Sequence, residues 1–281
     1  MEIIFAGASH YGLAGYKSIQ KFFDKIYLVK DNSQEILCNK RSQDELIDDF
    51  SDVECQIVFL CGYSKLISKE QLEKKTYINI HGALLPKYRG MHSTFYAIMN
   101  GERELGITFH LVNEYMDAGD ILAQYCFEYN GQIVDDINKK IDCLVEKYAG
   151  EVCQDYINGL IIPQEQDNSI ATFGARRNID DCLIDFNMNN ELLKRFFKAL
   201  TYPYPRPMLN IHGEKYEIVD EPQIEYRNYY GPIGRVVYKD DLGVWINVRE
   251  GFLIVKNVRK FQEDKQQLLE NLVNIGYRFK Q

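Results

Sequence analysis

The chain has 281 residues, 46% of them hydrophobic, enough to bury a sizeable core and to exclude a wholly disordered polymer. Its 41 acidic and 33 basic residues give a formal charge of −8, which excludes attraction of the molecule as a whole to a nucleic-acid backbone and leaves only a local basic patch to do so. The opening MEIIFAG lacks a basic leader and a long apolar stretch, and no later segment supplies the roughly eighteen consecutive apolar residues of a membrane span, so a soluble cytoplasmic protein with no membrane partner is expected.

Taken in order, EIIFAG (2–7) predicts a first buried strand ending in glycine, and GLAGYKSIQKFF has the apolar spacing of a helix. KIYLVK (25–30) and QIVFLCG (56–62) predict further buried strands, with DELIDDF between them read as helical. SKEQLEKK (68–75) predicts a short helix capped by Ser68, with Glu70 in its first turn, before YINIHG returns to the sheet. MHSTFYAIMNGE predicts a helix ending near Gly101; GITFHLVN and ILAQYCFEY (121–129) predict strands joined through DAGD. Apolar residues at 133, 137, 141, 144 or 145, 148, 152 and 156 then describe one long amphipathic helix. This alternation predicts a Rossmann-like α/β domain, a mainly parallel sheet with helices on both faces.

From about 163 to 188 the periodicity fails, leaving a polar link that contains FGARRNIDDCLIDF. NNELLKRFFKAL recovers a helix that YPYPRP (202–207) should end. EKYEIV, GRVVYKD, GVWINV and FLIVKNV then predict a small antiparallel β domain, OB-like in outline. The expected organisation is a catalytic domain over 1–205 that includes the linker helix, and a β-rich domain over 206–281. Seven cysteines, with no CxxC pair and no grouping with histidine, are read as reduced and mostly buried, and no metal is expected.

The chemistry concentrates in YINIHGALLPKYRG (77–90). Alternation along a strand points Asn79 and His81 to one face, at the carboxyl end where open α/β sheets collect catalytic groups. A neutral imidazole can take a proton from an attacking amine, and an amide can donate to an oxygen gaining negative charge. The imidazole needs an orienting carboxylate, and Asp117 in YMDAGD is the candidate, with Gly119 allowing close backbone approach. The bland alternatives are a core histidine, a turn asparagine and turn-capping Asp117 and Asp120. His10, His92 and His110 are read as structural or substrate-contacting rather than catalytic. AGASHYG (6–12) lacks the GxGxxG spacing, so dinucleotide binding has little support, and no zincin, Walker or GxSxG motif is present.

Asn79, His81, LLPKYRG (84–90) and MDAGDIL (116–122), with IIFAG, GITFH, FGARRNIDDCLIDF and ALTYPYPRP, resemble the folate-dependent formyltransferases, nearest in appearance to those acting on nucleotide-linked amino sugars. The resemblance implies a catalytic set of Asn79, His81 and Asp117. It implies 10-formyltetrahydrofolate as cosubstrate near Leu85, Pro86, Arg89, Gly90 and Asp120. It also implies transfer of the formyl group to the primary amine of a dTDP- or UDP-linked amino deoxysugar, serving surface polysaccharide synthesis. His10, Tyr11, Arg176 and Arg177 are the expected acceptor contacts. Two departures stand out: Ala83 where many relatives carry Ser, and an acidic 31–54 (eight acidic residues, two basic) where tRNA-directed relatives carry a basic loop. Methionyl-tRNA formylation, formyltetrahydrofolate hydrolysis and a non-catalytic binding protein of the same fold are the alternatives. The C-terminal strands are read as a homodimer interface or as a cover over the active site.

Overall fold

The structure, a computed structural model, describes residues 1–201, 204–221 and 223–279, apart from the side chains of Ser9 and His10. Packing divides the chain into two compact units, one made of 1–97, 102–130 and 136–176, the other of 98–101, 131–135 and 177–281. The boundary expected at 205 falls inside the second unit.

The first unit is built on seven strands: β1 (Glu2–Gly7), β2 (Lys25–Val29), β3 (Glu45–Ile47), β4 (Ile57–Cys61), β5 (Thr76–His81) and, after the two-residue β6 (Arg89–Gly90), β7 (Glu104–Leu111) and β8 (Ile121–Glu128). Their order is β3-β2-β1-β4-β5-β7-β8. The pairs up to β5 are parallel, whereas β7 runs antiparallel to both β5 and β8. This is the mainly parallel, Rossmann-like sheet that the alternation predicts. Near-continuous apolar runs explain the central strands: Ile3, Ile4, Phe5, Val58, Phe59, Ile78 and Phe109 are fully buried.

Flanking it are α1 (Ser9–Ile19), α2 (Gln34–Cys38), α3 (Lys69–Lys74), α4 (Ser93–Asn100) and α5 (Val134–Ile157). At α3 the Ser68 side chain accepts from Gln71 N while Gln71 returns a bond to Ser68 N, the reciprocal cap of which sequence reading anticipates the serine half. In α5 the buried stripe is Val134, Ile137, Ile141, Val145, Ala149 and Val152; Val145, not Leu144, fills the expected position. Tyr148 is half-buried and stacks flat on Tyr125 of β8, ring centres 3.6 Å apart.

The DELIDDF segment is a correction. It forms strand β3, in parallel register with Tyr27–Val29, followed by a single 3-10 turn at Phe50–Asp52 capped by Asp49. The sheet offers a complete row of backbone partners at this edge, and that outweighs a weak helical pattern rich in Asp, a poor interior helix residue.

β9 (Phe173–Gly174) belongs to the first unit; in the second, a 3-10 turn at Ile179–Cys182, capped by Asn178, precedes α6 (Asn190–Ala199), capped by Asn189. The helix ends at Ala199, with Leu200 as its C-cap; Tyr202 and Pro203, expected to stop it, lie outside the described residues. Among the described residues eight strands follow: β10 (Met208–Ile211), β11 (Glu214–Ile218), β12 (Gln223–Glu225), β13 (Val236–Asp240), β14 (Gly243–Val248), β15 (Gly251–Val255), β16 (Asn257–Lys260) and β17 (Gln266–Leu268). They form two antiparallel four-stranded sheets, β10-β11-β16-β17 and β12-β15-β14-β13, the small C-terminal β region expected from the turn-punctuated sequence.

All seven cysteines are free. Only Cys61, Cys153 and Cys182 are buried, whereas Cys38, Cys126 and Cys143 are exposed, which corrects the expectation of mostly buried thiols. Among the described residues no helix is long and apolar enough to cross a membrane.

Candidate active site

Strand β5 ends at His81 and carries Asn79 on the same face. Because β7 runs antiparallel beside it, His110 falls directly opposite Asn79, and Thr108 opposite His81. The Asn79 amide nitrogen lies 3.2 Å from His110 Nε2. Sequence reading placed His110 among structural or substrate-contacting residues; the register makes it a third polar group of this face. Only the reversed direction of the strand after α4 sets it there.

Asp117 arrives from the β7–β8 connection in a left-handed conformation (φ 49°) that an Asp tolerates better than most residues. Its Oδ2 is 3.4 Å from His81 Nδ1 and its Oδ1 is 3.5 Å from His110 Nε2. The Gly90 N–H donates to Asp117 Oδ2 at 2.8 Å. Gly119 must be glycine for this turn: an added Cβ would lie 1.9 Å from the Leu111 carbonyl oxygen.

The two imidazoles have their tautomers set by backbone. His81 Nε2 lies 2.7 Å from the Tyr88 carbonyl oxygen, which can only accept, so Nε2 carries the hydrogen. The neutral ring therefore keeps its lone pair on Nδ1, facing Asp117. His110 Nδ1 lies 2.7 Å from the Leu111 carbonyl oxygen, so its Nε2 is the acceptor that takes one N–H of Asn79. An amide has two N–H donors, and this engages one of them.

Electrostatics separate the members. Burial lowers the pKa of His81, more than the Asp117 charge restores it, so the ring is held neutral below its ordinary range. Burial alone would raise Asp117, but the contact with His110 and the charge that each histidine brings to the carboxylate when its ring is protonated, together with the Gly90 N–H, outweigh it and bring its pKa down to about 2. An ionised carboxylate thus faces a neutral imidazole lone pair, an arrangement that stabilises a proton arriving on Nδ1.

The LLPKYRG segment packs beneath these groups. Leu85 is buried, its N–H donating to Thr108 Oγ1 and its carbonyl accepting from Gln124, and a cis peptide joins it to half-buried Pro86. Pro86 O accepts from Thr172 N, and β6 pairs in parallel with β9. Arg89 is buried, and Gly90 (φ 95°) has its Cβ position filled by the Gly174 carbonyl oxygen 2.6 Å away. Asp120 closes the Asp117 turn, its carbonyl accepting from Leu111 N. Ala83 is buried, and its carbonyl accepts from Thr108 Oγ1.

The expected acceptor contacts divide between the two units. The His10 side chain lies outside those described. The Tyr11 hydroxyl donates to Asn138 Oδ1 at 3.4 Å and stands 3.6 Å from where a Cβ on Gly82 would be, beside His81. Arg176 is exposed at the end of the first unit, and Arg177 belongs to the second, where its Nη2 donates to Cys182 Sγ.

The formyl transferase family profile matches residues 7–141, and the profile of the formyl transferase C-terminal domain matches 178–274. The chain belongs to the formyl transferase family. A methionyl-tRNA formyltransferase of Finegoldia magna is 25% identical to this family member over 229 residues, 80% of the present chain and 73% of the relative. Among solved structures, the N-formyltransferase of Helicobacter canadensis, in complex with folinic acid and dTDP-3-aminofucose, aligns with TM-score 0.67 at 20% identity, over 92% of this chain and 99% of its own. HypX of Aquifex aeolicus, in complex with tetrahydrofolic acid, aligns with TM-score 0.59 at 16% identity; the match takes in 96% of this formyl transferase but 46% of HypX.

Proposed function

We propose that this formyl transferase moves a formyl group from a 10-formyl folate to the primary amine of a nucleotide-linked amino sugar, with Asn79, His81 and Asp117 as its catalytic residues. The observation that carries the chemistry is the neutral His81 whose lone-pair nitrogen faces ionised Asp117, one residue removed from an amide with an N–H to spare. When bound, the folate supplies an activated formyl carbonyl. His81 Nδ1 takes the proton that the amine sheds as its nitrogen bonds to the formyl carbon, and Asp117 stabilises the resulting imidazolium. Asn79 donates its uncommitted N–H to the carbonyl oxygen as that oxygen gains charge. The proton held on His81 is then available to the folate nitrogen as its bond to the formyl carbon breaks. The spare donor of Asn79 and the base at His81 are the groups an acyl transfer to an amine requires, and so the residues present fit this cosubstrate. We assign Leu85, Pro86, Arg89, Gly90 and Asp120 to the folate, and Tyr11, His10, Arg176 and Arg177 to the acceptor.

The sugar acceptor is supported by the formal charge of −8, by the acidic 31–54 segment, and by the near-complete mutual coverage with a structure holding an amino sugar nucleotide. Formylation of methionyl-tRNA is the second reading. By relatedness of sequence it has the stronger support, since the curated relatives at 23–30% identity are methionyl-tRNA formyltransferases. The test is to incubate the protein with 10-formyltetrahydrofolate and, separately, dTDP- and UDP-linked 3-amino and 4-amino deoxysugars or charged methionyl-tRNA, following acceptor mass and folate release. One formyl group gained by a sugar, matched to folate release, supports the proposal; formylated methionyl-tRNA alone replaces it. Folate release with no formylated acceptor indicates hydrolysis, and no release with any acceptor indicates a binding protein.

A further inference from the structure

Gln166 lies in the segment after α5 and is 4% exposed. Its Nε2 donates to the Asp117 carbonyl oxygen at 2.9 Å and to the Gly119 carbonyl oxygen at 2.7 Å. Its Oε1 accepts from Arg89 Nε at 3.0 Å and from Arg89 Nη2 at 2.8 Å. Both donors and both acceptor sites of the amide are therefore used. Arg89 is equally buried, and its other side-chain bond goes to Asn168 Oδ1 at 2.8 Å. Next along the chain, Gly90 N–H holds Asp117 Oδ2. The bonds close a ring from the Asp117 carboxylate through Gly90 and the Arg89 side chain to Gln166 and back to the Asp117 carbonyl. Reciprocal backbone bonds between Ile121 and Gln164, two residues before, tie the strap that carries Gln166 to the start of β8.

From this geometry we infer that Gln166 is a positioning residue for the reaction, fixing the Asp117 turn against the LLPKYRG segment. A left-handed Asp is costly unless its surroundings over-determine it, and two carbonyls of that turn end on this single amide. Only an amide can do this. A carboxylate would retain the Arg89 bonds but lose both donors to the turn; an apolar side chain would also leave a buried guanidinium without those two acceptor contacts. The catalytic consequence rests on the function proposed above, whereas the positional one does not.

Gln166→Glu and Gln166→Met separate the two halves of the bridge. In each, and in wild type, the His81 ring would be titrated by NMR and formyl transfer measured with the acceptor found active. The groups facing His81 are Asp117 and His110 with the Tyr88 carbonyl, and those facing Asp117 are the two histidines and the Gly90 N–H. The expectation is that both variants, folded by circular dichroism, shift the His81 titration to lower pH, and that kcat falls about tenfold to a hundredfold with folate KM within about threefold, as displacement of an orienting group produces. An unmoved His81 titration with wild-type kcat in both variants overturns the inference. A purely structural role predicts a lower melting temperature with His81 unmoved, and overturns it too. Should wild type transfer no formyl group, the His81 shift alone decides the positional inference, and the failure belongs to the proposed function. Gln166→Glu, being isosteric, keeps the test decisive if Gln166→Met does not fold.

Discussion

His81 gives up Nε2–H to the Tyr88 carbonyl, and this fixes Nδ1 as the nitrogen on which it can receive a proton. Since burial lowers its pKa, kcat/KM should rise with pH through an acid limb lying below 6.5, the ordinary histidine value, and level off above it. His81→Ala should reduce kcat by about a hundredfold to ten-thousandfold and abolish that limb, as steady-state profiles would register. Stability has a matching sign. The folded state binds a proton at His81 less readily than the unfolded chain, so stability falls as pH drops below 6.5. The depressed Asp117 contributes on the order of 2 kcal/mol, fully present above about pH 4 and lost as pH falls through about 2. In denaturant titrations Asp117→Asn should remove the lower part of this acid sensitivity, and His81→Ala the upper.

At the scale of elements, the strands and helices of the first unit follow from local pattern, because apolar runs of strand length and a 3.6-residue stripe admit few other structures. The short helix α2 was not anticipated, and two further features did not follow from local pattern. β3 is selected by a sheet edge that no local window contains, and β7 reverses direction, which alone brings His110 against Asn79. The Asp117 turn was legible in MDAGD as a glycine-dependent approach, and the 1.9 Å clash at Gly119 gives that reading its magnitude. Gly119→Ala must shift the turn off Leu111, so thermal melting should show a loss of at least about 1 kcal/mol. Because the same shift displaces Asp117, kcat should fall in the material that remains folded. Gln166 gave no signal at all: it sits in an aperiodic link, and its three partner residues, Arg89, Asp117 and Gly119, lie 47 to 77 residues away in sequence.

For the whole molecule, net charge bears on the acceptor. At −8, and with eight acidic residues against two basic ones in 31–54, binding to bulk tRNA at 150 mM salt should be weaker than about 10⁻⁵ M in a filter-binding or gel-shift assay. Affinity well above that, with a steep salt slope, would put methionyl-tRNA first. The sequence by itself determined the class of fold, the strand that delivers Asn79 and His81, and the family, since these depend on alternation, spacing and short motifs written in neighbouring residues. Only the tertiary structure decided which nitrogen of His81 is free, which residues surround Asp117, and that Gln166 joins the two loops of the site. Each of those depends on hydrogen bonds between segments far apart along the chain, whose partners are chosen by register and backbone direction rather than by composition.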